Sequence, residues 1–410
     1  MMASGSRRSD QRGAIAVVFV VHGLVFASWT AHIPHVKAAL GLTDHQLGLA
    51  LLGAPIGAVA SAATLVWLLP KADARRLLPI ALVGYALGGL LVGVASNSLG
   101  LFGALAVWGY FQGGLDATMN TEAVAIEAAL DRPMMSGLHA LWSAGSLAGA
   151  ALGTACAAAG LGLGAQLAVL AAVVLVATPA VVSGLPAGSA VTPMPPPVPE
   201  SGNAPEYLHE TAAPSSCPEP RQHTRRISRG VVALGVICTA DLLCEGAVAD
   251  WSAVYLRDNL QSSAIVSGLG YAMFMTGMLA IRAVGDRLRR RVAPKTSVIA
   301  LAGLATVGMA AGLALGDPAA SLIGFLCLGI GLGSVFPMAV SAAGRLPGVD
   351  AGVAVAIVSA CGWIGYVCGP PLIGQFAAAT TLRVALAVIP LLTAVIAMIV
   401  WLSRVVRDET

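Results

Sequence analysis

Gln112, Asp116 and Asn120 recur every four residues in an otherwise apolar run, WGYFQGGLDATMN. On a helix these three side chains share one face. An ionised carboxylate in hydrocarbon costs at least ~2.5 kcal/mol, so such a stripe is expected to face a water-accessible interior rather than lipid. A carboxyl group in a cavity that opens alternately to two sides takes up a proton on one and releases it on the other. Asp116 is therefore a proton-coupling candidate, with Gln112 and Asn120 as polar contacts for a solute. The bland alternative is a hydrogen-bond network that ties helices together. Glu122 and Glu127 come later in the same segment, where solvated helix-end charges are expected.

His139, Trp142, Ser143 and Ser146 form a second one-sided set. An imidazole gains and loses its proton near neutral pH, which suits a relay at His139; a histidine satisfied by a neighbouring carboxylate is the alternative. A third set is Asp241 and Glu245, four apart, followed by Asp250 and Trp251. Glu245 falls mid-segment and is the acid candidate of the second half, whereas Asp241 is placed to pair with Arg225, Arg226 or Arg229. Trp29, Trp142, Trp251 and Trp363 supply faces on which a ring-shaped solute stacks. For Trp29 and Trp251 a position at the membrane interface is the competing explanation. Tyr366, His22 and His32 follow, the last expected at the outer mouth.

These residues need helices to hold them, and the composition supplies little else. Of 410 residues, 57% are hydrophobic and 10% are charged, against roughly 25% charged in soluble domains. The excess apolar surface must face lipid. About 20 apolar residues span a bilayer, and twelve segments qualify: 14–36, 46–69, 77–95, 101–123, 136–158, 163–184, 230–256, 264–283, 296–316, 321–343, 351–375 and 383–403. The first continues past the length of a signal h-region without a cleavage site, so it reads as an uncleaved helix. Breaks fall at GLTDH, SNSLG, RDNLQSS, GDPAA and LPGVDAG. Residues 185–229 contain VTPMPPPVPESGNAPE, too proline-dense for a packed core, and read as a linker.

Charge placement tests the count. With the N-terminus inside, twenty Lys and Arg fall on the cytoplasmic side, and only Lys37, Arg257 and Arg383 fall on the other. That bias requires an even number of spans and places both termini in the cytoplasm. A formal net charge of +3 gives no reason to expect nucleic acid. The seven cysteines show no metal-ligand spacing and read as small apolar residues. No phosphate-binding glycine loop is present, so neither a cofactor nor a metal is expected.

The chain also repeats itself. Ala27-Ser28-Trp29-Thr30-Ala31 returns as Ala249-Asp250-Trp251-Ser252-Ala253, and Leu47-Gly48 returns as Leu269-Gly270 at the same offset. Gly109-x3-Gly113 is matched by Gly329-x3-Gly333. The reading is an all-α integral membrane protein of two pseudo-symmetric six-helix bundles: 1–184, the linker 185–229, and 230–410. Parallel repeats of this kind place a solute site near the midplane. Gly145-x3-Gly149-x3-Gly153 is expected to let a neighbouring helix approach closely.

The segment Arg282-Ala-Val-Gly-Asp-Arg-Leu-Arg-Arg-Arg291 is similar to the cytoplasmic loop signature of the major facilitator superfamily. FASWTAHIPHVKAALGLTDHQLGLA (26–50) and GGLDATMNTEAV (113–124) resemble permeases in the neighbourhood of the fucose–proton symporters, which carry an acid and a following Asn in the fourth helix. MSGLHALWSAGSLAGA (135–150) and EGAVADWSAVYLRD (245–258) resemble a group of uncharacterised bacterial inner-membrane permeases. Three features depart from relatives. The first-half loop Leu69-Pro-Lys-Ala-Asp-Ala-Arg-Arg76 keeps charge but lacks the glycine framework, and the fifth helix lacks the Gly-Pro pair of antiporters. The sugar symporters' second acid, in the first helix, falls where this chain has Thr30 and His32.

The resemblance implies a secondary transporter of a small organic solute, working by alternating access in the bacterial inner membrane. It is expected to be driven by protons and to act as a monomer. Asp116, His139 and Glu245 are its coupling candidates, and Arg282, Asp286 and Arg287 form a cytoplasmic gate. Sugar-like or other polar compounds are the expected solutes. Rival readings are an efflux pump, a non-transporting sensor on the same scaffold, and an intramembrane enzyme. The last would need a nucleophile–base pair that the sequence does not offer.

Overall fold

The computed structural model describes residues 2–68, 71–130, 134–185, 229–289, 291–346, 349 and 351–403; the side chains of 2–10, 128, 136, 286–289 and 294 are outside that description. Among the described residues there are helices and no strands. The first half runs α1 (Met2–Thr30), α2 (Ile33–Ala39), α3 (Asp44–Leu51), α4 (Gly53–Leu68), α5 (Ala74–Gly93), α6 (Ser98–Leu130), α7 (Met135–Ala158) and α8 (Leu163–Gly184). The second runs α9 (Arg229–Val254) with a π turn (Tyr255–Asn259), α10 (Ala264–Arg289), α11 (Pro294–Leu315), α12 (Pro318–Leu332), α13 (Val335–Ala343), α14 (Ala351–Ala379), α15 (Leu382–Leu386) and α16 (Val388–Leu402). The linker expected at 185–229 lies almost wholly outside the described residues.

Local chemistry explains the breaks. Thr43 and Gln46 close a capping box at the start of α3: Gln46 N–H donates to Thr43 Oγ1 over 3.2 Å and Thr43 N–H to Gln46 Oε1 over 3.0 Å. Asp317 caps α12 by accepting from Ala320 N–H at 2.9 Å. Asn97 accepts from Gly100 N–H at 2.7 Å at the start of α6. The polar residues of GLTDH, GDPAA and SNSLG are thus helix starts as well as breaks.

Eleven segments among the described residues are long and apolar enough to cross a membrane. The expected fourth span is the exception. At 33 residues α6 is easily long enough, but Gln112, Asp116, Asn120 and Glu122 dilute its hydropathy. Four spans read as continuous are in fact broken: at Ala31–His32 between α1 and α2, at Leu52 between α3 and α4, at Gly333–Ser334 between α12 and α13, and at Ala387 between α15 and α16. Outward side chains are apolar, as lipid contact requires: Val176 is 82% exposed, and Leu99 and Val66 are similarly bare.

The repeat seen in the sequence is a repeat of packing. α1 lies against α7 as α9 lies against α14; α4 and α5 pack on α6 as α10 and α11 pack on α12; α5 meets α8 as α11 meets α16. The matched glycines mark equivalent crossings. A Cβ on Gly109 would strike the Ala54 carbonyl in α4, and one on Gly329 would strike the Phe274 carbonyl in α10. Between the repeats, α7 meets α10 and α3 meets α14.

The Gly145–Gly149–Gly153 stripe does what its spacing predicts. Each glycine faces a carbonyl of α1, those of Val20, Leu24 and Ser28, with no room for a Cβ. Close backbone approach of this kind replaces the hydrophobic drive that lipid cannot supply. Gly149→Leu is expected to destabilise the protein by about 3 kcal/mol or more, because backbone cannot yield as a side chain does. Thermal unfolding in detergent checks this, with Gly103→Leu as the neutral control, since a Cβ there meets nothing.

Candidate substrate cavity

Three helices aim their polar faces at one another. α1 contributes His22, Phe26 and Trp29, which share a face by their spacing; α6 contributes Trp108, Gln112 and Asp116; α9 contributes Leu242, Glu245, Ala249 and Asp250. Together with Trp142, Tyr271, Phe336, Trp363 and Tyr366 they enclose a cavity of about 400 Å³. Pro55 and Phe336, each just beyond a helix break, line it too. Irregular backbone at this depth is tolerated where it borders a cavity.

Of the residues the sequence singled out, the cavity unites Trp29, Gln112, Asp116, Trp142, Glu245, Trp363 and Tyr366. The others lie elsewhere. Asn120 does not line the cavity: its Nδ2 donates back to the Asp116 carbonyl at 2.8 Å and to Asp116 Oδ1 at 3.3 Å. Trp251 is fully buried away from the cavity, so its equivalence with Trp29 is one of chain position only. His139 is an exposed residue packed edge-on against Phe19 at 5.5 Å, outside the cavity wall. Arg282 reaches across the repeats, donating from Nη1 to Ser143 Oγ at 2.8 Å and from Nε to the Gly333 carbonyl at 3.1 Å. Its expected gate partners Asp286 and Arg287 have side chains outside the described residues.

Other polar residues also differ from expectation. Glu122 is 1% exposed rather than solvated, because α6 continues two turns beyond it to Leu130. Asp241 is completely buried; of its expected partners Arg225 and Arg226 lie outside the described residues, and Arg229 makes no ion pair with it. His32 is buried, bonded through Nε2 to Gln166 Oε1 at 2.9 Å, and so ties α8 to the α1–α2 corner. Glu127 does act at a helix end: it accepts from Met134 N–H (2.5 Å) and Met135 N–H (2.9 Å), capping α7.

The wall holds two groups that spacing alone did not single out for it, His22 and Asp250. His22 is 3% exposed and accepts from Trp142 Nε1–H at 2.7 Å through Nδ1. Asp250 brings the carboxylates of the wall to three, with Asp116 and Glu245. None of the three is in an ion pair; the ion pairs among the described residues all involve Lys37. Among the described residues no Lys or Arg lines the cavity.

At one end the cavity is shut. Lys37 Nζ of α2 lies 2.6 Å from Asp44 Oδ1 and 2.5 Å from Asp258 Oδ2 in the π turn, so the pair with Asp258 bridges the repeats. Beside it α3 crosses α14 at Gly48 and Gly374, while α4, further along, barely meets α14. Partial burial opposes the Lys37 ammonium, but the hydrogen bonds and charges of Asp258 and Asp44 outweigh it and raise its pKa. Stability from this lysine is therefore complete below its ordinary value of 10.5 and is lost only as pH rises through the raised one. Lys37→Met is expected to loosen this end modestly, since half-exposed pairs contribute about 0–1 kcal/mol each. Wild-type accessibility at this end should be the same at pH 7 and pH 9, measured by labelling of single cysteines in the neighbouring loops.

Two repeats of membrane-length helices around a shared interior cavity define a polytopic helical membrane carrier. The sequence profile of the Major Facilitator Superfamily matches residues 15–351 and 251–410, and the chain belongs to that superfamily. It is an MFS-type membrane transporter. It is 30% identical over 391 residues to an uncharacterised MFS-type transporter of Yersinia pestis, covering 95% of this chain and 94% of that one. It is also 27% identical over 379 residues to the membrane protein MosC of Rhizobium meliloti, covering 91% and 85%. Among solved structures, the nucleoside transporter NupG superposes with a TM-score of 0.69 at 13% identity, covering 95% of this chain and 98% of that one. A bacterial homologue of the human lysosomal transporter Spinster, in an inward-facing and unoccupied conformation, gives 0.60 at 11%, covering 97% and 95%. At these identities the structural likeness is one of fold.

Proposed function

We propose that the protein is a proton-coupled symporter of a small polar organic solute in the bacterial inner membrane, with both termini in the cytoplasm. The observation that carries this reading is the convergence of carboxylates from both repeats, Asp116 from one and Glu245 and Asp250 from the other, on a single cavity. Solute and proton then share one compartment, so the occupancy of each biases the other without a separate energy source. The bundles 1–184 and 230–410 rock about this cavity, joined by the cytoplasmic linker 185–229.

In this scheme the Lys37–Asp258 bridge closes the periplasmic face, and the gap between α4 and α14 faces the cytoplasm. Asp116 carries the proton, its Oδ1 held by Asn120 Nδ2. Arg282, hydrogen-bonded to Ser143 across the repeats, belongs to the cytoplasmic gate and must release that bond during the cycle. His139 stands near Arg282 at the same end and would exchange protons there with the cytoplasm. The protein acts as a monomer.

The test is solute-driven alkalinisation. De-energised cells expressing the protein are given a solute panel while external pH is recorded. A carried solute is expected to raise external pH, and the signal should vanish with a protonophore. Acidification on solute addition, or solute entry with no pH change, would contradict symport.

A further inference from the structure

The cavity wall has an asymmetry that the symport reading does not use. Among the described residues three carboxylates and no Lys or Arg face the space. One of them suffices to carry a proton, which leaves Glu245 and Asp250 on α9 without an ion-pair partner among the described residues: Arg282, whose charge is felt at Glu245, spends its hydrogen bonds on Ser143 and the Gly333 carbonyl. Buried charge is retained where it is paired or meets a ligand. Much of the remaining wall is aromatic: Phe26 meets Tyr271 across the repeats, edge-on at 6.3 Å, and Trp363 meets Tyr366 within α14 at 5.9 Å and 72°. Ring faces beside carboxylates form the surroundings in which an ammonium group is held.

His22 adds an independent constraint. Its Nδ1 accepts from the indole N–H of Trp142, and an indole only donates. The imidazole proton must then sit on Nε2, so His22 faces its surroundings as an N–H donor. That Nε2, on a residue 3% exposed, has no partner in hydrogen-bond geometry, although the Gln112 backbone is nearby. A buried donor left unmade costs stability; the atom itself has no accessible surface in this conformation, so a solute oxygen reaches it only as the wall adjusts on binding.

From the three carboxylates, the aromatic wall and the locked donor, we infer that the solute is a small protonated amine that also carries an oxygen acceptor. The ammonium sits between Glu245, Asp250 and the aromatic faces, and the oxygen meets His22 Nε2–H. A volume of about 400 Å³ suits one ring with its substituents. This rests on the reading of the cavity as the solute site and narrows it to a charge class.

Matched triplets test it on the purified full-length chain: glucosamine, glucose and glucuronate, then cyclohexylamine, cyclohexanol and cyclohexanecarboxylate. Binding is measured by calorimetry and thermal shift at pH 7. The amine of each triplet is expected to bind at least about tenfold tighter than its neutral partner, and the carboxylate not at all. Glu245→Gln combined with Asp250→Asn should erase the preference in a chain whose melting temperature is not lowered. His22→Phe should weaken glucosamine by about tenfold and leave cyclohexylamine, which has no oxygen, unaffected. Equal or tighter binding of a neutral or anionic member, or no saturable binding by either amine, would overturn the inference. Solute-driven proton movement with neutral glucose would keep the symport reading and reject this one; amine binding with no coupled proton flux would do the reverse.

Discussion

Asp116→Asn is expected to reduce solute-driven proton movement to background while leaving solute binding nearly intact. The amide keeps the shape and the contact with Asn120, but it cannot carry a proton. Removing a carboxylate from the membrane interior should at the same time make the protein more stable, by up to about 2 kcal/mol, since its insertion cost is relieved. Loss of function together with a raised melting temperature distinguishes a coupling residue from a structural one, whose loss would lower both. Counterflow exchange, which needs no net proton movement, should persist in the variant. If Asp116→Asn alkalinises the medium like the wild type, Asp116 is not the coupling group.

Gly48→Leu is expected to force open the end closed by Lys37. A Cβ on Gly48 would lie 2.7 Å from the Pro370 carbonyl oxygen and 3.1 Å from Gly374 Cα, and one on Gly374 would lie 2.7 Å from the Asp44 carbonyl oxygen. The helices cross backbone to backbone, so no side chain can move aside. Overpacking of this kind costs about 1–3 kcal/mol, and the protein escapes it by separating α3 from α14 rather than by unfolding. Because 1.4 kcal/mol is a tenfold change in population, the open state should become dominant. Spin labels at Gly41 and Gln261, both near this end, should move apart in Gly48→Leu and stay put in Gly103→Leu. Unchanged distances would mean that the glycine pair does not hold the closure.

Much of this was legible before the structure, for reasons that particular residues make plain. A four-residue polar recurrence in an apolar helix points inward whatever the rest of the fold does, and this found Gln112 and Asp116. Asn120 shares the stripe but lies a turn beyond the cavity, and its amide folds back onto its own helix instead. His22 was legible only as an isolated imidazole, because its partner Trp142 lies 120 residues away and no spacing rule connects them. Asp250 and Trp251 show the limit most sharply. Neighbours on one helix differ by about 100°, and the sequence did not fix the rotation of α9 well enough to tell that Asp250, not Trp251, turns inward. The breaks before Pro55 and Phe336 were hidden because the flanking residues stay apolar throughout. Glu122 was misplaced by a boundary: the expected span ended at 123, whereas α6 runs on to Leu130.

Alternating access requires that one cavity be reachable from both faces of the membrane in turn. Gln112 lines that cavity, so Gln112→Cys, made in a chain from which the seven native cysteines have been removed, reports on it directly. Sealed vesicles are treated with a membrane-impermeant thiol reagent from the outside or from the inside, with and without a bound solute. The prediction is reaction from either side, slowed from both by solute. Reaction from one side alone, or from neither, would contradict it.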